Sequence, residues 1–297
     1  GHLAWRRCWR WLPLRSLAGC SRPPVRAGND RHEKFTEATR LRVPLLGFFV
    51  LTFSWSWAFW ALSSAIRLQL PWLATALMFA GSFGPSLAAI VVVASTHNGE
   101  GLRAWMSRCL RWRIGWGWWA FALLSPLTMM SIAAGLHIAL GGNIGTAPAS
   151  GHLLMTLVNL PLVLLLGGPL GEEFGWRGYA QPVLQDRLGW RTASLGLGLV
   201  WGVWHLPLFF IDGTAQVHIP LALFLLSVVA MSVLFAWLVN HTKGSVVAAL
   251  LFHTAINFWP SVVPVLPTEA SYRAYGFVVA TLVLLSVLVL MAFKEKA

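Results

Sequence analysis

The strongest constraint on this chain is the recurrence of long apolar runs, each about the length needed to cross a lipid bilayer. A helix needs roughly 20 predominantly apolar residues for that purpose, and runs of that kind fall near 43–64, 72–96, 117–140, 153–170, 192–211, 220–240, 245–264 and 273–293. Once such a run is in lipid, its backbone N–H and C=O groups must pair within the segment, and a helix does this locally. The expected fold class is therefore all-α, a polytopic membrane helical bundle of about eight transmembrane helices.

Charge arranges these helices. Only 11% of the residues are charged, against roughly a quarter in soluble domains. Ten of the 22 Lys and Arg lie in the first 42 residues, and most others sit in short connections between apolar runs. That is the positive-inside pattern of a membrane protein, so the net charge of +12 concerns lipid and topology rather than nucleic acid. The expected division is a basic N-terminal tail over 1–42, without ordered structure, and an eight-span domain over 43–297. With Arg103 to Arg113, Arg177, Arg187, Arg191, Lys243, Lys294 and Lys296 on one side, both termini are expected in the cytoplasm of a bacterial cell membrane. The stretch Gly101 to Trp116, with arginines interleaved among Trp and Leu, reads as an interfacial amphipathic helix. Cys8, Cys20 and Cys109 imply neither a disulfide framework nor a cysteine metal site.

Against this apolar background the polar residues stand out. Gly171-Glu-Glu-Phe-Gly-Trp-Arg-Gly-Tyr179 places two adjacent carboxylates after an apolar run, in a chain with only ten acidic residues. On a helix Glu173 and Arg177 are one turn apart and can pair, while Glu172 points about 100° away without a local partner. The fifth run carries Trp201-Gly-Val-Trp-His205. The seventh carries His253 and Asn257, four residues apart on one face. Taken singly, each has an ordinary structural explanation: a backbone-bonded histidine, a helix-end ion pair, an interhelical amide. Together they are nearly all the strongly polar residues of the last five runs, and one shared wet cavity would bury them at lower cost than three separate sites. His137 lies inside the third run without a polar neighbour in sequence, and His97, His152, His218 and His241 lie at run ends.

Two chemistries suit the set. A desolvated Glu can take a proton from water and return it to a leaving amine, with His and Asn stabilising an oxyanion. Alternatively, carboxylate and imidazole can hold zinc or another divalent metal. Adjacent glutamates on a regular helix do not readily ligate one ion, which tilts the reading toward a metal-free site with no cofactor.

Glu-Glu-x-x-x-Arg, then an aromatic-x-x-x-His, then His-x-x-x-Asn on later runs resembles the CPBP family, which includes CAAX prenyl endopeptidases, abortive-infection proteins and bacteriocin-processing or immunity membrane proteins. The resemblance covers roughly residues 75 to 290, and Trp201 stands where phenylalanine is usual. It implies an intramembrane glutamic-type endopeptidase acting on a membrane-bound or lipid-anchored peptide, with the site open to the cytoplasm. It further implies that Glu172 activates water with His205, that His253 and Asn257 form the oxyanion hole, and that Glu173 and Arg177 orient the site. The competing readings are a non-catalytic immunity or partner-binding protein of the same fold, a metal-dependent protease and a proton-coupled transporter. Counting residues from the span ends leaves Glu172 and His205 at different depths. A break of the fourth helix at Gly167-Gly-Pro-Leu-Gly171, or a later start for the fifth, would bring them level.

Overall fold

The computed structural model describes residues 45–96, 99–147, 152–166, 168–267 and 271–293. The expected tail over 1–42 lies outside them, as do Lys294 and Lys296. The described residues are all-helical, without strands. In chain order the helices are α1 (Leu45–Ile66), α2 (Pro71–Ser82), α3 (Gly84–Thr96), α4 (Gly99–Cys109), α5 (Trp116–Ala139), α6 (Leu153–Leu166), α7 (Pro169–Gly175), α8 (Gln181–Trp204), α9 (Leu221–His241), α10 (Val246–Phe258) and α11 (Arg273–Ala292).

The described residues of each of the eight apolar runs are largely helical, but not each run is one straight span. Among the described residues five helical stretches are long and apolar enough to cross a membrane, or six if the bent pair α2–α3 counts as one. The segments expected at 153–170 and 245–264 are shorter. α6 has 14 residues and α10 has 13, below the length that spans a hydrocarbon core. Glycine and proline explain the breaks. α2 and α3 meet at 49°, where Gly84-Pro85 starts a new helix, since a proline ring disfavours helix at the residue before it. α6 ends at Leu166, and Gly168 adopts φ +106 before Pro169 opens α7. Gly189 interrupts α8 with φ 74 and ψ 159.

The expected amphipathic helix is shorter than its charge pattern suggested. α4 ends at Cys109, and residues 110–115 are irregular up to Gly115, whose φ is 89. Its buried face is Gly101, Trp105 and Cys109, at successive four-residue steps, and burial pushes the Cys109 thiol up to about 12. A thiol held that far from its thiolate is not a nucleophile at neutral pH.

α7 is the element the rest is fitted around. A Cβ added at Gly171 would lie 2.4 Å from the Ser82 carbonyl oxygen, and one at Gly175 would lie 2.4 Å from that of Pro85. Glycines four apart therefore let α7 press its backbone onto the α2–α3 bend. Ser86 Oγ crosses the same contact to donate to the Leu170 carbonyl at 2.9 Å. One residue beyond α7, Trp176–Ala180 winds as a π-helix. The carbonyl of Gly178 in this turn accepts from Trp105 Nε1 at 2.9 Å and Arg108 Nη2 at 3.2 Å on α4.

Candidate active site

Both glutamates sit on α7 and are buried, Glu172 at 4% exposure and Glu173 at 0%. They face different surroundings, as the 100° step between neighbours on a helix requires. Glu173 faces inward. Its Oε2 accepts from Arg177 Nε at 3.2 Å, and its Oε1 accepts a hydrogen bond from His253 Nδ1 at 2.7 Å. Arg177 also donates through Nη1 to Ser232 Oγ at 3.1 Å on α9. Its guanidinium lies between the rings of Trp201 (4.9 Å) and Phe235 (4.5 Å). A fully buried cation thus has a carboxylate, a hydroxyl and two aromatic faces around it, which is how a low-dielectric interior tolerates charge.

Glu172 faces a cavity of about 550 Å³ whose walls also carry His205, His253 and Asn257. Four of the six candidate residues thus share one chamber, while Glu173 and Arg177 stand behind it. Glu172 Oε2 accepts the indole proton of Trp201 at 2.6 Å. Its Oε1 borders a gap above Gly168: a Cβ placed there would lie 2.6 Å from Oε1 and 4.0 Å from His253 Nε2. Only glycine leaves that gap open, and its φ of +106 is itself unfavourable for any side chain. Gly168→Ala is therefore expected to lower turnover about 100-fold or more by displacing the carboxylate. Normal turnover would show that the gap is not used.

The histidine tautomers follow from their partners, because an acceptor fixes which ring nitrogen carries hydrogen. Nδ1 of His253 donates to Glu173, so Nε2 is the atom directed to the gap. Nδ1 of His205 donates to the Trp201 carbonyl at 2.8 Å, which leaves its Nε2 for the cavity. Nearby tryptophans close the wall. Trp60 and Trp204 line the chamber, their rings 4.7 Å apart, and Trp57 Nε1 on α1 donates to the Trp204 carbonyl at 3.0 Å. Asn257 reaches the same chamber from α10, one turn beyond His253.

The helix break at Gly168 is one of the two expected ways of resolving the depth difference between Glu172 and His205. Sequence reasoning did not find Trp201 as the hydrogen-bond partner of Glu172. It took the residue as an exchange of one aromatic ring for another, and the available signal was the indole N–H, a donor that phenylalanine lacks. Nor did it find that His253 reaches Glu173 as well as the cavity. His137 lies elsewhere, buried on α5 with Nε2 3.3 Å from the Asn143 carbonyl. Among the described residues, no three His, Cys, Asp or Glu side chains are grouped to hold a metal ion.

The sequence comparisons cover the same stretch of chain. Residues 154–259 match the family described as type II CAAX prenyl endopeptidase Rce1-like, a segment that contains all six candidates. A protein of Methanococcus maripaludis named CAAX prenyl protease 2 is 29% identical over 191 residues, which cover 61% of this chain and 70% of that protein. Over this segment the chain is similar to CAAX prenyl endopeptidases. With five or six helices among the described residues long and apolar enough to cross a bilayer, it is an integral membrane protein, and the polar chamber within its bundle is the candidate active site.

The cavity has a definite position relative to the charges. Arg103, Arg108, Arg111, Arg113, Arg187, Arg191 and Lys243 gather at one end of the bundle, tied together by contacts such as Ser245 Oγ to the Arg111 carbonyl at 2.5 Å and Arg108 to Gly178. The chamber extends to the other end, where Thr214, Ala215 and Gln216 of the α8–α9 connection line it. There Arg67 pairs with Asp212 at 2.5 Å. The sequence expects the basic end and the opening both on the cytoplasmic side, whereas the chamber lining reaches the bundle end opposite these arginines.

Proposed function

We propose that this protein hydrolyses a peptide bond of a membrane-associated or lipid-anchored substrate by a glutamic mechanism. In it Glu172 is the base and a water molecule is the nucleophile. The carrying observation is the separation of the two glutamates: one is committed to Arg177 and His253, while the other presents Oε1 to the chamber beside His253 Nε2. Glu172 takes a proton from water as the oxygen attacks the scissile carbonyl carbon, with His205 Nε2 accepting the water's second hydrogen bond. The resulting oxyanion lies against His253 Nε2 and the Asn257 amide. Glu172 then passes its proton to the leaving nitrogen as the C–N bond breaks, which leaves a carboxylic acid and an amine. The hydrogen bond from Nδ1 to Glu173 holds the His253 ring in place, and when both its nitrogens are protonated the Glu173 carboxylate balances the charge.

No metal enters this scheme. The family name supports a prenylated substrate, as does a chamber of about 550 Å³ with tryptophan, phenylalanine and leucine in its walls. The test compares membrane peptides released by the wild type and by Glu172→Ala, with and without a strong chelator. Fragments that depend on Glu172 and survive chelation are expected. Identical peptide sets would remove the enzyme reading, and chelator-sensitive cleavage would remove the metal-free one.

We propose that the chamber mouth lies away from the cytoplasm, a reading supported by the positive-inside rule and by the chamber lining at Thr214, Ala215 and Gln216. A membrane-impermeant maleimide added to intact cells is expected to label Gln216→Cys and to spare Ser107→Cys. Labelling in the opposite pattern would put the mouth in the cytoplasm.

A further inference from the structure

We infer that Trp201 is a positioning residue for the hydrolytic step, aligning both side chains that would handle the water. Its indole N–H donates to Glu172 Oε2 at 2.6 Å, and its backbone carbonyl accepts from His205 Nδ1 at 2.8 Å. One residue on α8 thus orients the carboxylate on α7 and, one turn along its own helix, the imidazole. The inference rests on Glu172 being the base.

The need for such a residue follows from torsional freedom. The last torsion of a glutamate side chain is broad, so an unanchored carboxylate samples many rotations. Anchoring Oε2 settles which oxygen meets the gap above Gly168, and it is Oε1 that lies there. Anchoring one His205 nitrogen to a carbonyl likewise commits the other to the chamber. The indole itself is held firmly. Trp201 is 2% exposed, its ring faces the Arg177 guanidinium at 4.9 Å, and its edge contacts include Phe235 and His253 at centroid distances of 5.8 and 5.7 Å. The side chain thereby links the outward-facing Glu172 to the Glu173–Arg177 pair behind it.

Trp201→Phe separates these roles. It keeps an aromatic ring near Arg177 and the backbone carbonyl for His205, and it removes the N–H to Glu172 together with part of the buried ring volume. A hydrogen bond to a charged group is worth enough that its loss should lower kcat about 10- to 100-fold, with KM within about twofold and a protein that remains folded at the assay temperature despite the smaller buried ring. In a Glu172→Gln background the same substitution should alter the residual rate less than about twofold, because the two changes act through one group. Full activity in Trp201→Phe with an inactive Glu172→Gln overturns the positioning role alone. Full activity in Glu172→Gln overturns the mechanism beneath it. A loss of rate of the same size in the Glu172→Gln background makes Trp201 a packing residue, and it too overturns the inference.

Discussion

Replacing Glu172 with Gln is expected to lower kcat by about 10²- to 10⁴-fold, the usual contribution of a positioned general base, while leaving KM and thermal stability close to wild type. The amide is nearly isosteric and its oxygen can still accept from Trp201, so the chamber keeps its shape and loses only the proton acceptor. Glu172→Asp should fall between the two, since it keeps the carboxylate but withdraws it by one methylene from the gap at Gly168. The measurement is steady-state cleavage of a membrane-tethered peptide by purified protein in lipid, with unfolding followed on the same samples. A Glu172→Gln enzyme of near wild-type kcat would mean that another group activates the water.

The second large effect is expected at Arg177, and it is one of stability as well as activity. Its partner Glu173 is fully buried and holds both Arg177 and His253. Arg177→Met would leave a carboxylate without its cation in a low-dielectric interior, a change that typically costs 3–5 kcal/mol. It would also remove the Ser232 hydrogen bond and the stacking between Trp201 and Phe235. The double variant Glu173→Gln/Arg177→Met takes away the whole pair, and replacing both charges of a buried pair is often nearly neutral. Chemical unfolding in detergent should therefore show a large loss in the single variant and most of it recovered in the double. Activity should stay low in both, because the amide in place of Glu173 holds the His253 ring less firmly. Equal stability of the single variant and wild type would remove the pair from the account of the fold.

Much of the site was legible because its residues are costly in their setting. Glu172, Glu173, Arg177, His205, His253 and Asn257 could be picked out by asking which polar groups an apolar chain retains, and helical spacing alone paired Glu173 with Arg177. The same spacing placed His253 and Asn257 on one face. What was hidden was long-range. Trp201 lies 29 positions from Glu172 and His253 lies 80 from Glu173, and no periodicity reports which side chains meet across helices. Tryptophan was also easy to pass over, since 18 of them occur in the chain and most fill membrane or packing positions.

The fold divides in a similar way. Apolar run length and the need to pair backbone groups in lipid established an all-helical membrane bundle, and Gly167-Gly-Pro-Leu-Gly171 marked one place where a helix could break. Those are local properties, and the sequence by itself determined them. The tertiary structure decided that α6 and α10 are short, that α7 presses its glycines onto the α2–α3 bend, and that the two adjacent glutamates face a chamber and a buried arginine respectively. It also decided that the chamber extends to the end of the bundle away from the arginines. Such features depend on which helices touch and at what depth, and hydrophobic patterning cannot specify them, because a lipid-facing leucine and a core leucine look the same along the chain.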